Sequence, residues 1–194
     1  MRVTEANSTR FALFLAALLA LSWLVMYGAG LLSTHYHIQI PMWVDMPGTL
    51  GVFAFLFKGF DRWVWRLPVF RALGITDPDF SGKWTGTLKS SHDSFAQALP
   101  VELRIQQTAT DLKVLGVFNS SKSCSVTASF EKLNGETSLL FFYRNDPAYN
   151  AGATMAMHDG ACKLTYDEST RKFTGYYFSG RNRNNHGIIE LMKV

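Results

Sequence analysis

Two stretches of this 194-residue chain gather side chains suited to recognising small anionic ligands. Phe141-Phe-Tyr-Arg-Asn-Asp-Pro-Ala-Tyr-Asn150 ends an apolar run with Tyr143 and Arg144, then turns polar. Tyr176-Tyr-Phe-Ser-Gly-Arg-Asn-Arg-Asn-Asn-His186 does the same, with Tyr177 ahead of Arg181 and Arg183. Aromatic rings can stack on a base, guanidinium forks can hold phosphate oxygens, and amides can read a base edge. Tyr143, Arg144, Tyr177, Arg181 and Arg183 are therefore candidate ligand-binding residues. A pair of solvated hairpins accounts for the same composition and stays open as the alternative.

Catalytic chemistry has no comparable foothold. The chain contains no nucleophile elbow, no P-loop, no glycine-rich dinucleotide turn and no zinc-type His/Cys spacing. His158-Asp159 is a lone pair, read as a satisfied surface histidine, and His35-Tyr-His37 lacks the further ligands a metal needs. Cys124 and Cys162 lie far apart with no second cysteine near either, which suits reduced side chains; a bridge between them is the minor alternative. The reading is a binding protein rather than an enzyme, with no cofactor and no metal.

Charge narrows the ligand. The formal net charge is +4, but from Ala72 onward thirteen Lys and Arg face twelve Asp and Glu. The excess flanks apolar segments instead, at Arg2 and Arg10, then Lys58, Arg62, Arg66 and Arg71. A binder of polymeric nucleic acid would carry a basic face on its folded domain. This balance excludes that class.

The apolar segments point to a bilayer. Phe11 to Leu32 carries no charge, and about 20 such residues cross the hydrocarbon as a helix. A cleaved signal peptide is the alternative, with small residues at Gly28-Ala-Gly30, but the run exceeds a usual signal core. The second segment, Pro47 to Trp65, is shorter in apolar content and ends in snorkelling cations and interfacial tryptophans. A re-entrant or interfacial segment is its competitor. Ser33 to Val44 holds no Lys or Arg, so the positive-inside bias places the N-terminus and everything after Arg62 in the cytoplasm. Residues 1–71 are thus read as a two-helix transmembrane hairpin and 72–79 as a linker. Ala12, Ala16 and Ala20 recur at the four-residue spacing that lets helices approach closely, a candidate face for self-association in the membrane.

From Phe80 the period changes to two. Trp84, Gly86 and Leu88 alternate with Lys83, Thr85, Thr87 and Lys89. Similar runs follow at 100–106, 112–118, 124–130, 137–143, 162–166, 173–179 and 187–192. Asn134-Gly135 is a strong hairpin turn, and Ala109-Thr-Asp111 and Asp167 to Arg171 are plausible ones. Eight short strands with tight connections predict an all-β domain over 80–194, a compact eight-stranded antiparallel up-and-down β-barrel, lipocalin-like in outline. An open sandwich is the runner-up. Such a barrel has room inside for side chains or for one small ligand.

A helical pair, then "FSGKWTGTL" at Phe80–Leu88, a compact barrel and an ending "GYYFSGR…HGIIELMK" resemble the two-transmembrane β-barrel effectors of CBASS anti-phage defence. The resemblance covers nearly the whole chain, and the order of its parts carries most of the weight, because Gly-x-Trp also opens lipocalin-like barrels. It implies a multi-pass protein of the bacterial inner membrane whose cytosolic barrel senses a cyclic dinucleotide made by an infection-activated nucleotidyltransferase. It further implies homo-oligomerisation on activation, disruption of the lipid bilayer and abortive infection. The family's strand-end positions correspond only loosely to Tyr143, Arg144, Tyr177, Arg181 and Arg183. Two other functions stay in view: a membrane-anchored lipocalin-like carrier of an apolar ligand, and a membrane adaptor with a filled barrel. The barrel interior discriminates the three.

Overall fold

The computed structural model describes residues 5–37, 42–118, 121–148, 157–180 and 184–194. The chain divides into two compact units, one ending at Pro78 and the other running from Asp79 to Val194.

The first unit is helical. Helix α1 spans Glu5–His35 and α2 spans Met42–Arg62; a 3₁₀ turn at Val64–Arg66 and the short α3, Pro68–Ala72, follow. Ser8–His35 is the one helix among the described residues long and apolar enough to cross a membrane, with a mean hydropathy of 2.1. Leu13, Leu19, Trp23, Leu24, Leu31 and Leu32 are all exposed on it. A helix apolar around its whole circumference is at home in hydrocarbon rather than water. At ~1.5 Å per residue it exceeds the ~30 Å core. Helix α2 begins at Met42, several residues before the expected Pro47. It runs antiparallel to α1: Phe14 near the start of α1 packs on Phe60 near the end of α2 at 4.3 Å between ring centroids, and Phe70 closes on Phe60 at 5.0 Å. Ser22, fully buried on the α2-facing stripe of α1, satisfies its hydroxyl by donating to Leu18 O at 2.7 Å. Ala12, Ala16 and Ala20 lie off that stripe and are exposed.

The second unit is a closed antiparallel barrel in which eight strands follow in chain order and the last pairs with the first. They are β1 Gly82–Ser90, β2 Leu99–Gln107, β3 Leu112–Phe118, β4 Ser121–Leu133, β5 Glu136–Pro147, β6 His158–Asp167, β7 Lys172–Ser179 and β8 His186–Lys193. The open-sandwich alternative is excluded by the β1–β8 ladder from Trp84↔Lys193 to Ser90↔Gly187. Asn134 and Gly135 both take positive φ, 52° and 86°, as the tight hairpin requires. At the 167–171 turn, Asp167 accepts from the Ser169 amide and from the Ser169 and Thr170 hydroxyls.

One end of the barrel is filled. Phe80, just ahead of β1, lies among Phe130, Tyr166 and Phe173 at centroid separations of 5.1, 4.8 and 5.1 Å. Trp84 packs on Phe173 at 4.7 Å and donates its indole N–H to Phe80 O at 2.9 Å. Leu139, Leu164, Phe173 and Leu191 are completely buried around them. Each such side chain contributes about 1.5–3 kcal/mol by leaving water. This plug fixes the cylinder and leaves the other end free to hold something else.

Candidate ligand-binding site

Above the plug the inward-facing residues become smaller and more polar, and a cavity of about 570 Å³ opens toward the 91–98 and 184–185 segments. Its floor is Leu103, Phe141, Cys162 and Ile189. One side continues apolar, through Leu88 and Leu99 of β1 and β2 and Phe118 of β3. The facing side, on β4 to β6, carries Ser121, Ser123, Asn145 and His158.

The polar side exists because of a bulge. In β4 the register shifts between Ser125 and Thr127, leaving Val126 as the extra residue, exposed on the outer surface. A bulge reverses which alternate residues face inward. Beyond it Ala128 and Phe130 pack against the core; before it Ser121, Ser123 and Ser125 face in and Cys124 is exposed. Ser125 accepts from the Val114 amide at 2.9 Å, stitching β3 where the bulge interrupts the ladder. Ser121 and Ser123 remain on the cavity wall, 7% and 6% exposed.

Both candidate tyrosines line this cavity. Each lies over a glycine on the next strand: Tyr143 pairs with Gly160, and Tyr177 with Gly187. A Cβ at either glycine would run into its ring. The glycines thus let the rings lie flat against the wall, as aromatic residues do over strand glycines. Tyr143 donates its hydroxyl to Phe178 O at 3.4 Å. Arg144 is on the outer face, because it alternates with inward-facing Tyr143 and Asn145; its Nε donates to Asp159 Oδ1 at 3.1 Å, and it does not line the cavity. Arg181 and Arg183 lie outside the described residues; in sequence they fall between Ser179 and Asn185, both of which line the cavity.

Asn145 and Asp93 are functional candidates that sequence reading passed over. Asn145 is 4% exposed, and among the described residues its Nδ2 has no hydrogen-bond partner. Period two alone places it beside Tyr143 on the inward face, which was the available signal. Asp93 belongs to a 3₁₀ turn, Ser91–Asp93, and its Oδ2 accepts from the Gln97 backbone amide at 2.9 Å, while its enclosed Oδ1 has no partner among the described residues. Behind it Ser94 and Phe95 both adopt left-handed backbone, φ 57° and 63°. Such conformations persist only where neighbours impose them. Here Phe95 N donates to Ser90 O at 2.8 Å, its ring meets His186 edge-on at 5.7 Å, and His186 N donates to Ser91 Oγ at 3.0 Å. The loop is therefore held against the start of β8 at the cavity rim.

The electrostatics are muted. Among the described residues the lining holds no Lys or Arg, and its carboxylate is Asp93. Burial pushes the Cys162 thiol up, so the floor is neutral. No cluster of three or more His, Cys, Asp or Glu that could hold a metal occurs among the described residues. The arrangement can surround a mostly flat, neutral group with hydrogen-bonding edges.

Residues 75–193 match the family described as Cap15, cyclic dinucleotide receptor domain. The chain belongs to this family. It is also similar to CD-NTase-associated protein 15 of Staphylococcus schleiferi, at 24% identity over 153 residues, covering 78% of this chain and 81% of that protein. The Cap15 match begins just before Phe80 and takes in every barrel strand. This Cap15 barrel therefore holds its cavity between inward tyrosines, serines and the asparagines Asn145 and Asn185, with the candidate Arg144 turned outward.

Proposed function

We propose that this chain is a CBASS effector whose barrel binds a cyclic dinucleotide and whose helices lie in the bacterial inner membrane. The observation that carries this reading is the open cavity of about 570 Å³ within a Cap15 receptor domain, in the size range of small-ligand pockets. Tyr143 and Tyr177 offer faces to the bases, and Arg181 and Arg183, between Ser179 and Asn185 in sequence, meet the phosphates. In this reading α2 crosses beside α1, the N-terminus and barrel are cytoplasmic, and residues 1–71 act as the membrane hairpin. Ligand can promote assembly only if it binds the assembled state better than the separate one. Tethering concentrates the copies, so a modest preference suffices to gather them, through the exposed Ala12, Ala16 and Ala20 face among others, and to disrupt the bilayer.

A second reading has one observation in its favour. The apolar wall formed by Leu88, Leu99, Leu103, Phe118 and Ile189 would also suit a lipocalin-like carrier of an apolar ligand. The filled-barrel adaptor has no such support, since a cavity of about 570 Å³ is open within the barrel.

The test is calorimetric titration of the full chain, in lipid nanodiscs, with cyclic di-GMP, cyclic di-AMP and cyclic di-UMP, against a fatty acid as control. Saturable binding of a cyclic dinucleotide with no fatty-acid binding is expected. The reverse pattern would replace the proposal with the carrier. Crosslinking of the full chain in bacterial membranes, with and without the bound nucleotide, then tests assembly.

A further inference from the structure

The cavity wall contains a donor that the protein itself leaves unused. Asn145 is 4% exposed, and no acceptor among the described residues takes its Nδ2. It points inward in step with Leu139, Phe141 and Tyr143, and its cross-strand partners are Ser123 and His158, which also line the cavity. A buried donor without an acceptor destabilises the fold that contains it. An apolar side chain here would serve folding better, so the amide's missing acceptor belongs to whatever fills the cavity.

The surroundings specify that acceptor. A phosphodiester carried to the depth of Asn145 would lose its water and gain no counter-charge, because the described lining offers no Lys or Arg and does offer the Asp93 carboxylate. A nucleobase loses little there. Its faces pack on Phe141 and the apolar wall, and its edge presents carbonyl oxygens and ring nitrogens as acceptors. Resting on the cyclic dinucleotide reading above, we infer that Asn145 is a specificity-determining residue: one base of the ligand enters the cavity and accepts a hydrogen bond from Asn145 Nδ2, beside the Ser121 and Ser123 hydroxyls, while the phosphodiesters stay at the mouth. The base goes in first, and selectivity is decided against the β4–β6 wall.

The experiment compares the wild-type full chain with Asn145→Ala in nanodiscs. Thermal unfolding without ligand is measured first, then affinity for cyclic di-GMP, cyclic di-AMP and cyclic di-UMP. Removal of an unpaired donor leaves the unliganded midpoint unchanged or raises it, while affinity for the preferred ligand falls roughly tenfold and the preference among the three narrows. A cyclic dinucleotide carrying 2-aminopurine reports orientation, since a base inside the cavity is shielded from acrylamide quenching. A variant with a lower unliganded midpoint and unchanged affinity would make Asn145 a structural residue and overturn the inference. Full quenching of the bound base would overturn the orientation. Wild-type binding with equal affinity in the variant sinks this inference alone, whereas no wild-type binding to any of the three sinks the receptor reading and this inference with it.

Discussion

The two ends of the barrel are built from the same ladder and the same alternation, yet one is packed shut and the other encloses an open cavity. At the filled end the inward positions carry Trp84, Leu139, Leu164, Phe173 and Leu191, supplemented by Phe80 from outside the strands. At the open end the corresponding positions carry Ser121, Ser123, Gly160, Ser179 and Gly187. Strand number fixes the width of the cylinder, so side-chain volume alone decides whether a layer closes. The connections follow the same division with one exception. The filled end has tight turns at 108–111, 134–135 and 168–171, whereas the open end has the 91–98 loop and the longer connections after β5 and β7, beside a two-residue connection between β3 and β4. Close packing is concentrated at one end and the open cavity at the other.

The largest effect should come from breaking the filled end. Phe173 is completely buried, against Phe80, Trp84 and Tyr166. Phe173→Ala is expected to cost about 3–5 kcal/mol, through lost burial and the cavity left behind. Denaturant unfolding of the full chain measures it, and nucleotide affinity at temperatures where the variant stays folded should change little. A loss under about 1 kcal/mol would mean that the aromatic plug is not what holds the barrel together.

The opposite change sharpens the contrast. Ser123→Leu places a hydrocarbon group into the open layer, where there is space for it. Filling an existing cavity commonly adds about 0.5–2 kcal/mol. The variant should unfold at a higher denaturant concentration than the wild type and bind no cyclic dinucleotide, whereas Phe173→Ala shows the reverse pattern. Retained binding would locate the ligand away from the β4 wall.

The filled end was the more legible of the two in the sequence. Alternating Trp84/Gly86/Leu88 and Val101/Leu103/Ile105, with Asn134-Gly135 between two strands, predicts paired strands with an apolar interior; the observed strands contain the predicted runs, but β4, β5 and β6 run three or four residues further toward the open end, from Ser121, to Pro147 and from His158. The open end obeys a rule that composition hides. Read with unbroken alternation, Cys124, Val126, Ala128 and Phe130 share one face, and the serines fall on the other. The bulge at Val126 reverses that parity, and it is set by pairing with β5 rather than by β4's own residues. Arg144 drew attention through its charge, although alternation with Tyr143 directs it outward to Asp159. The first helix was legible from apolar length alone. The start of the second was not, because Pro47 suggests a helix start and the helix begins earlier, at Met42.

The smallest effect concerns the turns that close the filled end. Asp167 has its carboxyl held down to about 2, chiefly by the Ser169 and Thr170 hydroxyls and then by the Ser169 amide. The ionised form accepts all of these bonds and the protonated form does not, so the folded state binds this proton less readily than the unfolded state. The stabilisation is therefore complete above the ordinary carboxylate range near about 4 and fades as pH falls through about 2. Asp167→Ala should unfold slightly more easily than the wild type at neutral pH, with the gap between the two denaturation midpoints closing over that acid window. The same gap should survive added salt, since it rests on short hydrogen bonds rather than on distant charges. The exposed Arg144–Asp159 pair at the open end provides the counterpart, an ion pair in solvent whose removal should hardly move the midpoint at any pH. Equal sensitivity of the two sites would mean that the tight turns do no more for stability than the rim, and the division of labour between the barrel's ends would fail at its edges.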